Sequence, residues 1–414
     1  MISAKKSVLT PTTKIEYLGF IINSLTMTVI PTTEKVKKLK KAVKKLIIKD
    51  TTTIRHVAQV TGGLVATHPG NPMAPRFTKQ LEIEKIAALT LNKFDFDTYM
   101  PISDLIKTDL QWWLDNLDFL VARIHIPYPD FTIHTDASLQ GYGFFVPTTK
   151  VQAGSRWSLV ECDYHINILE LLAIQHALSA VCTDMSHIHI RIMCDNTTAI
   201  AAITKQGSTR IPELNTIARQ IWDWALYRDL WLSAVHIPGI ANVEADEASR
   251  IFKDELEWTL NASAFAHICE TFGTPTLDLF ASRLNYRILP FCAFRPDPLA
   301  SVIDAFTIPW NMQLGYAFPP FCLLGRILQK IIRDEANIIL IVPDWPTKAW
   351  YPMFHRLLLA PPLCIPVLDN TLFLSHRMKD PSLEIPSHTQ EKHGRHPLAR
   401  TLKLLVGHLS GKVY

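Results

Sequence analysis

Between Pro31 and Ile48 the apolar residues Val36, Leu39, Val43, Leu46 and Ile47 recur every three or four positions with lysine between them. This pattern predicts an amphipathic helix opening at Pro31-Thr-Thr-Glu34. Residues 50–125 continue in helical periods, with breaks expected at Gly62-Gly63 and His68-Pro-Gly-Asn-Pro72, and with Trp112 and Trp113 on a helix from about Ser103 to Leu120. Pro127-Tyr-Pro129 then marks a boundary, after which the period changes. Phe131 and Ile133 alternate as on a strand, Gly141–Val146 continues after a tight turn, and Arg156-Trp157 ends a third strand. A helix over 166–181 follows, then a strand over 187–194 with Ile188, Ile190 and Ile192 on one face. Helices near 196–205 and 212–227, a strand over 230–236 and a helix over 242–251 complete a mixed α/β domain with a five-stranded sheet. Beyond Lys253 the pattern predicts a helix near 258–271, a helix over 321–335 and a buried strand at Ile338–Val342. Residues 376–414, rich in His, Pro, Lys and Arg, read as a loosely ordered linker or tail, and no internal repeat is visible.

A chain of 414 residues exceeds the size at which one core stops growing, so two or three domains are expected. Hydrophobic residues at 48% and charged residues at 19% supply enough apolar surface for packed cores. The longest apolar runs, Ile338–Val342 and Leu357–Val367, are too short or too Pro-broken for the ~20 helical residues of a membrane span. The opening Met-Ile-Ser-Ala-Lys-Lys has no apolar leader, and the reading is an intracellular protein of cytoplasm or nucleus with no membrane partner. Seven cysteines without a C-x-x-C pair argue against a zinc knuckle or a disulfide framework and are expected to be buried thiols. Net charge is only +4, yet Lys35–Lys49 holds eight lysines and no acid. Lysines such as Lys37, Lys41 and Lys44 read either as a solvated helix face or as a phosphate-contacting face that releases counterions from nucleic acid.

Four carboxylates carry the chemistry: Asp136 in Thr-Asp-Ala-Ser138, Glu170 in Ile-Leu-Glu-Leu-Leu172, Asp195 in Cys-Asp-Asn196, and Asp246 in Ala-Asp-Glu-Ala-Ser-Arg250. Glu170 is the most telling, because Ile166, Ala173, Ile174 and Ala177 share its helix face, where a lone ionised carboxylate is costly unless neutralised or bound to a cation. Asp136 and Asp195 fall at the ends of apolar strands, where α/β sheets place ligand-binding groups, and small Ala245 and Ala248 let the Asp246 helix approach the sheet. Each acid also has a plain structural reading: turn formers for Asp136 and Asp195, a surface helix acid for Asp246, an ion-paired core residue for Glu170. If all four converge, oxygen-only ligation favours two Mg²⁺ or Mn²⁺ ions and hence phosphodiester hydrolysis, in which the metals activate a water and stabilise the leaving oxygen.

These motifs occur in the order found in ribonuclease H, and residues 130–252 resemble that domain in the version carried by retrotransposon reverse transcriptases. The run His236-Ile-Pro-Gly-Ile-Ala-Asn-Val-Glu-Ala-Asp246 is the most specific match. The resemblance implies that Asp136, Glu170, Asp195 and Asp246 hold two metals and that His236 assists proton transfer or product release. It further implies that the RNA strand of an RNA–DNA hybrid is cut, the strands being distinguished through 2′-hydroxyl contacts. Asn196 and Asn242 are candidate nucleic-acid contacts near the site, although helix capping explains each equally well.

The flanks extend the resemblance. Lys6-Ser-Val-Leu-Thr-Pro11 with Ile15-Glu-Tyr-Leu-Gly-Phe-Ile-Ile22 resembles the end of a reverse transcriptase palm, Leu18-Gly19-Phe20 being the turn that grips the primer. The Lys-rich helix resembles the thumb, and residues 50–125 the connection. No Tyr-x-Asp-Asp occurs, so polymerase activity is not expected of this chain, and a truncated element polyprotein is. Residues 258–375 resemble the Dam-like adenine-methyltransferase domain of DIRS-type retroelements through Leu277-Asp-Leu-Phe-Ala-Ser282 with Asn285, Asp304-Ala-Phe306 with Trp310, Tyr316-Ala-Phe-Pro-Pro-Phe321, and Ile341-Val-Pro-Asp-Trp-Pro346. Phe318 stands where active members carry Asn or Asp, and a phenyl ring cannot accept the target amine's hydrogen bonds, so a degenerate module is expected. The layout is thus 1–125 palm end, thumb and connection, 129–252 ribonuclease H-like, 258–375 methyltransferase-like and 376–414 tail. The leading function is a retroelement ribonuclease H. The alternatives are an inactive nucleic-acid-binding remnant or, third, an adenine methyltransferase.

Overall fold

The computed structural model describes residues 8, 10–124, 128–252, 258–366, 372–374 and 402–412. Much of the expected 376–414 tail, and Lys6, Ser7 and Leu9 of the palm-like motif, lie outside these. The chain divides into two compact units, one comprising residues up to Thr132 with Ser186–Ile192 and Asn196–His236, the other Ile133–Met185, Met193–Asp195 and Ile237 onward.

In the first unit, antiparallel strands Lys14–Tyr17, Phe20–Asn23, Thr28–Pro31 and Ala122–Arg123 form one sheet in that order. The turn between the first two places Leu18 and Gly19 at φ of 50° and 76°, the left-handed pair that a two-residue hairpin needs. Helix Thr33–Ile47 is capped by the Thr32 hydroxyl, with Glu34 in its first turn and Lys44 and Lys45 in its last, both favourable to the helix dipole. It buries Val36, Leu39, Val43 and Leu46 against a core shared with helices Ile54–Val65, Arg76–Leu91 and Asp104–Asn116. Each such side chain contributes about 1.5–3 kcal/mol by leaving water. The break expected at Gly62-Gly63 does not occur, since both lie inside helix Ile54–Val65. A Cβ on Gly63 would stand 2.8 Å from Leu39 Cδ2, so that glycine serves close helix packing rather than a turn. Asp109, fully buried, accepts both arms of Arg219 at 2.6 and 3.3 Å and ties the Trp-bearing helix to helix Pro212–Tyr227.

The mixed five-stranded sheet runs Trp231–His236, His189–Cys194, Phe131–Ala137, Gly141–Val146, Val151–Arg156 from edge to edge, with the last three antiparallel. This is the expected mixed α/β layout. Its short final helix, Val243–Arg250, belongs to the second unit and lies directly on the sheet. A Cβ on Gly143 would approach Ala245 O to 2.3 Å and Ser249 N to 2.4 Å, and one on Gly154 would approach Ala248 O to 2.3 Å. Glycine on the strands, opposite the small Ala245 and Ala248 of the helix, lets the backbones meet.

The C-terminal part of the second unit holds its own sheet. Parallel strands Leu277–Asp278, Gly315–Ala317 and Asn337–Pro343 are followed by Lys403–Ser410, antiparallel to the third, and Leu363–Pro366 at the edge. Two expectations change here. Trp258–Leu260 is a strand paired with Leu372–Leu374, and the helix begins only at Ala262, where Asn261 accepts from Ala264 N–H. Lys403–Ser410, read as tail, is an inner strand whose Leu404, Val406 and Leu409 are fully buried. All seven cysteines are free thiols, but only Cys182, Cys194 and Cys292 are buried as expected, Cys162 and Cys269 being half-buried and Cys322 and Cys364 exposed. Among the described residues no helix is long and apolar enough to cross a membrane.

Candidate metal centre

Asp136 is the penultimate residue of strand Phe131–Ala137 and pairs in register with Gly143. Because Gly143 admits the helix backbone, Ser249 reaches over and donates its hydroxyl to Asp136 Oδ2 at 2.7 Å. The same helix presents Asp246, 44% exposed along its side chain, whose Oδ1 accepts from Arg250 Nε at 2.7 Å. Glu170 sits in the second turn of helix Ile166–Val181 and is 5% exposed. Cys194 Sγ lies 3.8 Å from Glu170 Oε2. Asp195 follows that cysteine at the end of strand His189–Cys194, and a Cβ on Gly239 would stand 3.3 Å from Asp195 Oδ2. One donor atom from each of Glu170, Cys194 and Asp195 lies within 4.8 Å of the others.

Electrostatics link all four acids. Burial pushes the Glu170 carboxyl up to about 9, with the charges of Asp136 and Asp195 adding to the shift against hydrogen bonds from Cys194 and the Ala137 backbone. Burial likewise raises Asp136 to about 6, opposed by the Ser249 hydroxyl and reinforced by Asp195 and Asp246. The Asp246 hydrogen bond raises the Arg250 guanidinium. A buried carboxylate group that ionises this reluctantly fits a hard divalent cation, whose charge would reverse the penalty. Among the described residues the donor group close enough to share such an ion is Glu170, Cys194 and Asp195, and the expected ligands Asp136 and Asp246 are not part of it.

Sequence reasoning missed Cys194. The expected ligand set was oxygen only, yet a thiol stands among the donors. The alternation Ile190, Ile192, Cys194, all fully buried on one face, was the signal for it. His236 is the exposed last residue of strand Trp231–His236. Asn196 accepts from Thr198 and Ala199 N–H at 2.9 and 3.0 Å and so caps helix Thr197–Thr204. Asn242 provides no such cap. It is fully buried and donates Nδ2 to Thr135 O at 3.0 Å, turned inward beside Asp136 rather than outward to a ligand. Lys37, Lys41 and Lys44 are exposed and, with Lys40, Lys45 and Ile48, line a shallow surface depression.

In the C-terminal sheet, Asp278 is buried and its two oxygens accept from the N–H groups of Phe280 and Arg287 at 3.3 and 3.1 Å. Burial raises it to about 7. Phe318 stands beside Phe321, centroids 6.4 Å apart, and Phe321 meets Trp345 edge-on at 5.5 Å.

No protein-family model matches the chain, and no curated protein matches it. Similar solved structures include ribonuclease H1 of the halophilic archaeon Halobacterium salinarum, 18% identical, covering 28% of this chain and 96% of that one with a TM-score of 0.24. LC11-RNase H1 in complex with an RNA/DNA hybrid is 17% identical, with 29% and 93% coverage and a TM-score of 0.25. The foamy viral protease-reverse transcriptase in complex with RNA/DNA hybrid is 13% identical over 60% of this chain, with a TM-score of 0.24, and the match spans 33% of the viral chain.

Proposed function

We propose that this chain is a metal-dependent ribonuclease that cuts the RNA strand of RNA–DNA hybrids, with Asp136, Glu170, Asp195 and Asp246 holding two Mg²⁺ or Mn²⁺ ions. The observation that carries the reading is the buried group around Glu170, where one donor atom from each of Glu170, Cys194 and Asp195 lies within 4.8 Å of the others and burial raises the glutamate to about 9. Bound divalent ions would activate a water and stabilise the leaving oxygen of the phosphodiester. The chain's own residues do the rest. Ser249 orients Asp136, the buried Asn242 holds the loop before the last helix to strand Phe131–Ala137, and Arg250 keeps Asp246 oriented in the absence of metal. His236 is assigned proton transfer or product release, and Asn196 a contact to the hybrid. Lys37, Lys41 and Lys44 are assigned to backbone phosphates.

The C-terminal module is proposed as a degenerate methyltransferase-like element of a DIRS-type polyprotein. Asp278 spends both oxygens on backbone N–H groups and Phe318 offers no acceptor for a target amine, so methyl transfer is not expected. A second reading, nucleic-acid binding without turnover, is favoured by one contact, the Arg250–Asp246 ion pair, which already neutralises one ligand.

A labelled RNA–DNA hybrid incubated with the full chain and Mg²⁺ decides between them. Cleavage by the wild type and none by Asp195→Asn is expected. Equal absence of cleavage in both, with hybrid still bound, would establish the binding reading instead.

A further inference from the structure

A second group of buried charges lies away from the carboxylate cluster, within the same compact unit, and joins the C-terminal module to the sheet that carries the cluster. Arg283, 6% exposed along its side chain, directs Nη1 to Glu161 Oε1 at 3.1 Å and Nη2 to Glu161 Oε2 at 2.8 Å, a two-armed pair. Nη2 also reaches Arg156 O at 2.5 Å, and the guanidinium lies 5.3 Å from the centre of the Tyr142 ring. Its own backbone is pinned, because Arg283 N–H donates to Asp297 Oδ2 at 2.8 Å while Asp297 Oδ1 accepts from Leu299 N–H at 2.9 Å.

From this pair two routes lead to the carboxylates. Glu161 Oε1 lies 2.7 Å from His176 Nε2, and His176 stands on helix Ile166–Val181 with Glu170. The Tyr142 ring lies tilted against His176, centroids 4.8 Å apart, and against Trp157 at 5.4 Å. Trp157 Nε1 donates to Ser138 O at 2.8 Å, Ser138 Oγ donates to Ser249 O at 2.6 Å, and Ser249 holds Asp136.

We propose that Arg283 is a positioning residue for the metal centre: the C-terminal module uses it to clamp Glu161 and His176, fixing the helix that carries Glu170 and the strand end that carries Asp136. The inference rests on the metal-centre reading above. Carboxylates gathered without a cation repel one another, so the helix bearing Glu170 needs a hold from outside the cluster. A buried ion pair adds little net stability but fixes geometry, and groups that orient metal ligands from behind commonly change metal affinity about 10–100-fold. The module is then part of the nuclease rather than an appended domain.

The test uses the full 414-residue chain. Removing Arg283 alone would strand a buried carboxylate, so the first variant combines Arg283→Met with Glu161→Gln, which removes both charges of the pair, leaves Asp297 its two backbone N–H donors, and keeps an amide for His176 and for the Ser158 N–H that Glu161 Oε2 accepts at 2.7 Å. Mn²⁺ binding is measured by calorimetry on protein shown to be folded by circular dichroism, alongside kcat and KM for hybrid cleavage. The expected result is Mn²⁺ affinity weakened about 10–100-fold, with kcat lowered and KM for the hybrid unchanged. Arg283→Lys, which keeps the charge and loses the fork, is expected to lie between. Wild-type Mn²⁺ affinity in either folded variant overturns the clamp. Wild-type protein that binds Mn²⁺ without cutting hybrid removes the ribonuclease reading and leaves the clamp standing, whereas wild-type protein that binds no Mn²⁺ removes both.

Discussion

Glu161 and Glu170 flank the start of one helix and face opposite fates. Glu161, 14% exposed along its side chain, is pushed up by burial, but hydrogen bonds and charge from His176 and Arg283 outweigh this and hold it far below the usual carboxylate range. Glu170 is buried beside Asp136 and Asp195, no cation contributes to its own shift, Arg250 acting on Asp136 instead, and it is held far above that range. Burial alone is therefore not the sign of a functional carboxylate. The informative feature is burial that the protein's own charges leave uncompensated.

The sharpest way to break this comparison is to remove one side of the compensated pair. Glu161→Ala leaves Arg283 buried without its partner and is expected to cost about 3–5 kcal/mol in urea unfolding. A cost under about 1 kcal/mol would place Glu161 among ordinary surface ion pairs. The opposite substitution should have the opposite sign. Glu170 and Asp136 have raised folded values, so the stability owed to their protonated forms is complete below about pH 4 and is lost as pH rises through about 6 for Asp136 and about 9 for Glu170. Glu170→Gln should stabilise the metal-free protein by on the order of a few kcal/mol at pH 8 and by nothing at pH 4. A pH-independent Tm difference would sink that account.

The same carboxylates predict that Mg²⁺ or Mn²⁺ raises Tm, more at pH 8 than at pH 5, and that chelation reverses the rise. Equal metal shifts at both pH values would remove the linkage. Gly143→Ala sharpens the comparison from the backbone side. A methyl group there meets Ala245 O and Ser249 N, so about 1–3 kcal/mol of stability and much of the metal response should be lost together. Loss of stability with an intact metal response would separate helix docking from the site. The smallest effect is expected far from both glutamates. Replacing Lys37, Lys41 and Lys44 by Ala should lower the salt slope of hybrid binding by about one unit for each phosphate that a lysine had neutralised. An unchanged slope would leave those lysines a solvated helix face.

Much of the mixed α/β part was legible because its periods are clean. Ile190, Ile192 and the Glu170 helix announce strand and helix without tertiary help, and the acids sit in short, distinctive contexts. What was hidden depends on partners distant in sequence. Gly62-Gly63 reads as a break until Leu39 is seen against Gly63. Lys403–Ser410 follows a polar stretch and shows its strand character only through pairing with Asn337–Pro343. Cys194 looked like one more inert thiol because its neighbour across the site, Glu170, is on another element. Arg283 carries no motif at all, and only the fold brings it to Glu161.

The position of strand Lys403–Ser410, between Asn337–Pro343 and Leu363–Pro366, also governs how this polypeptide can mature. The C-terminal sheet cannot close during synthesis until Ser410 has been made, and until then both neighbours offer unpaired edges to other nascent chains. A premature stop after Pro366 would yield an aggregating product rather than a shorter folded chain.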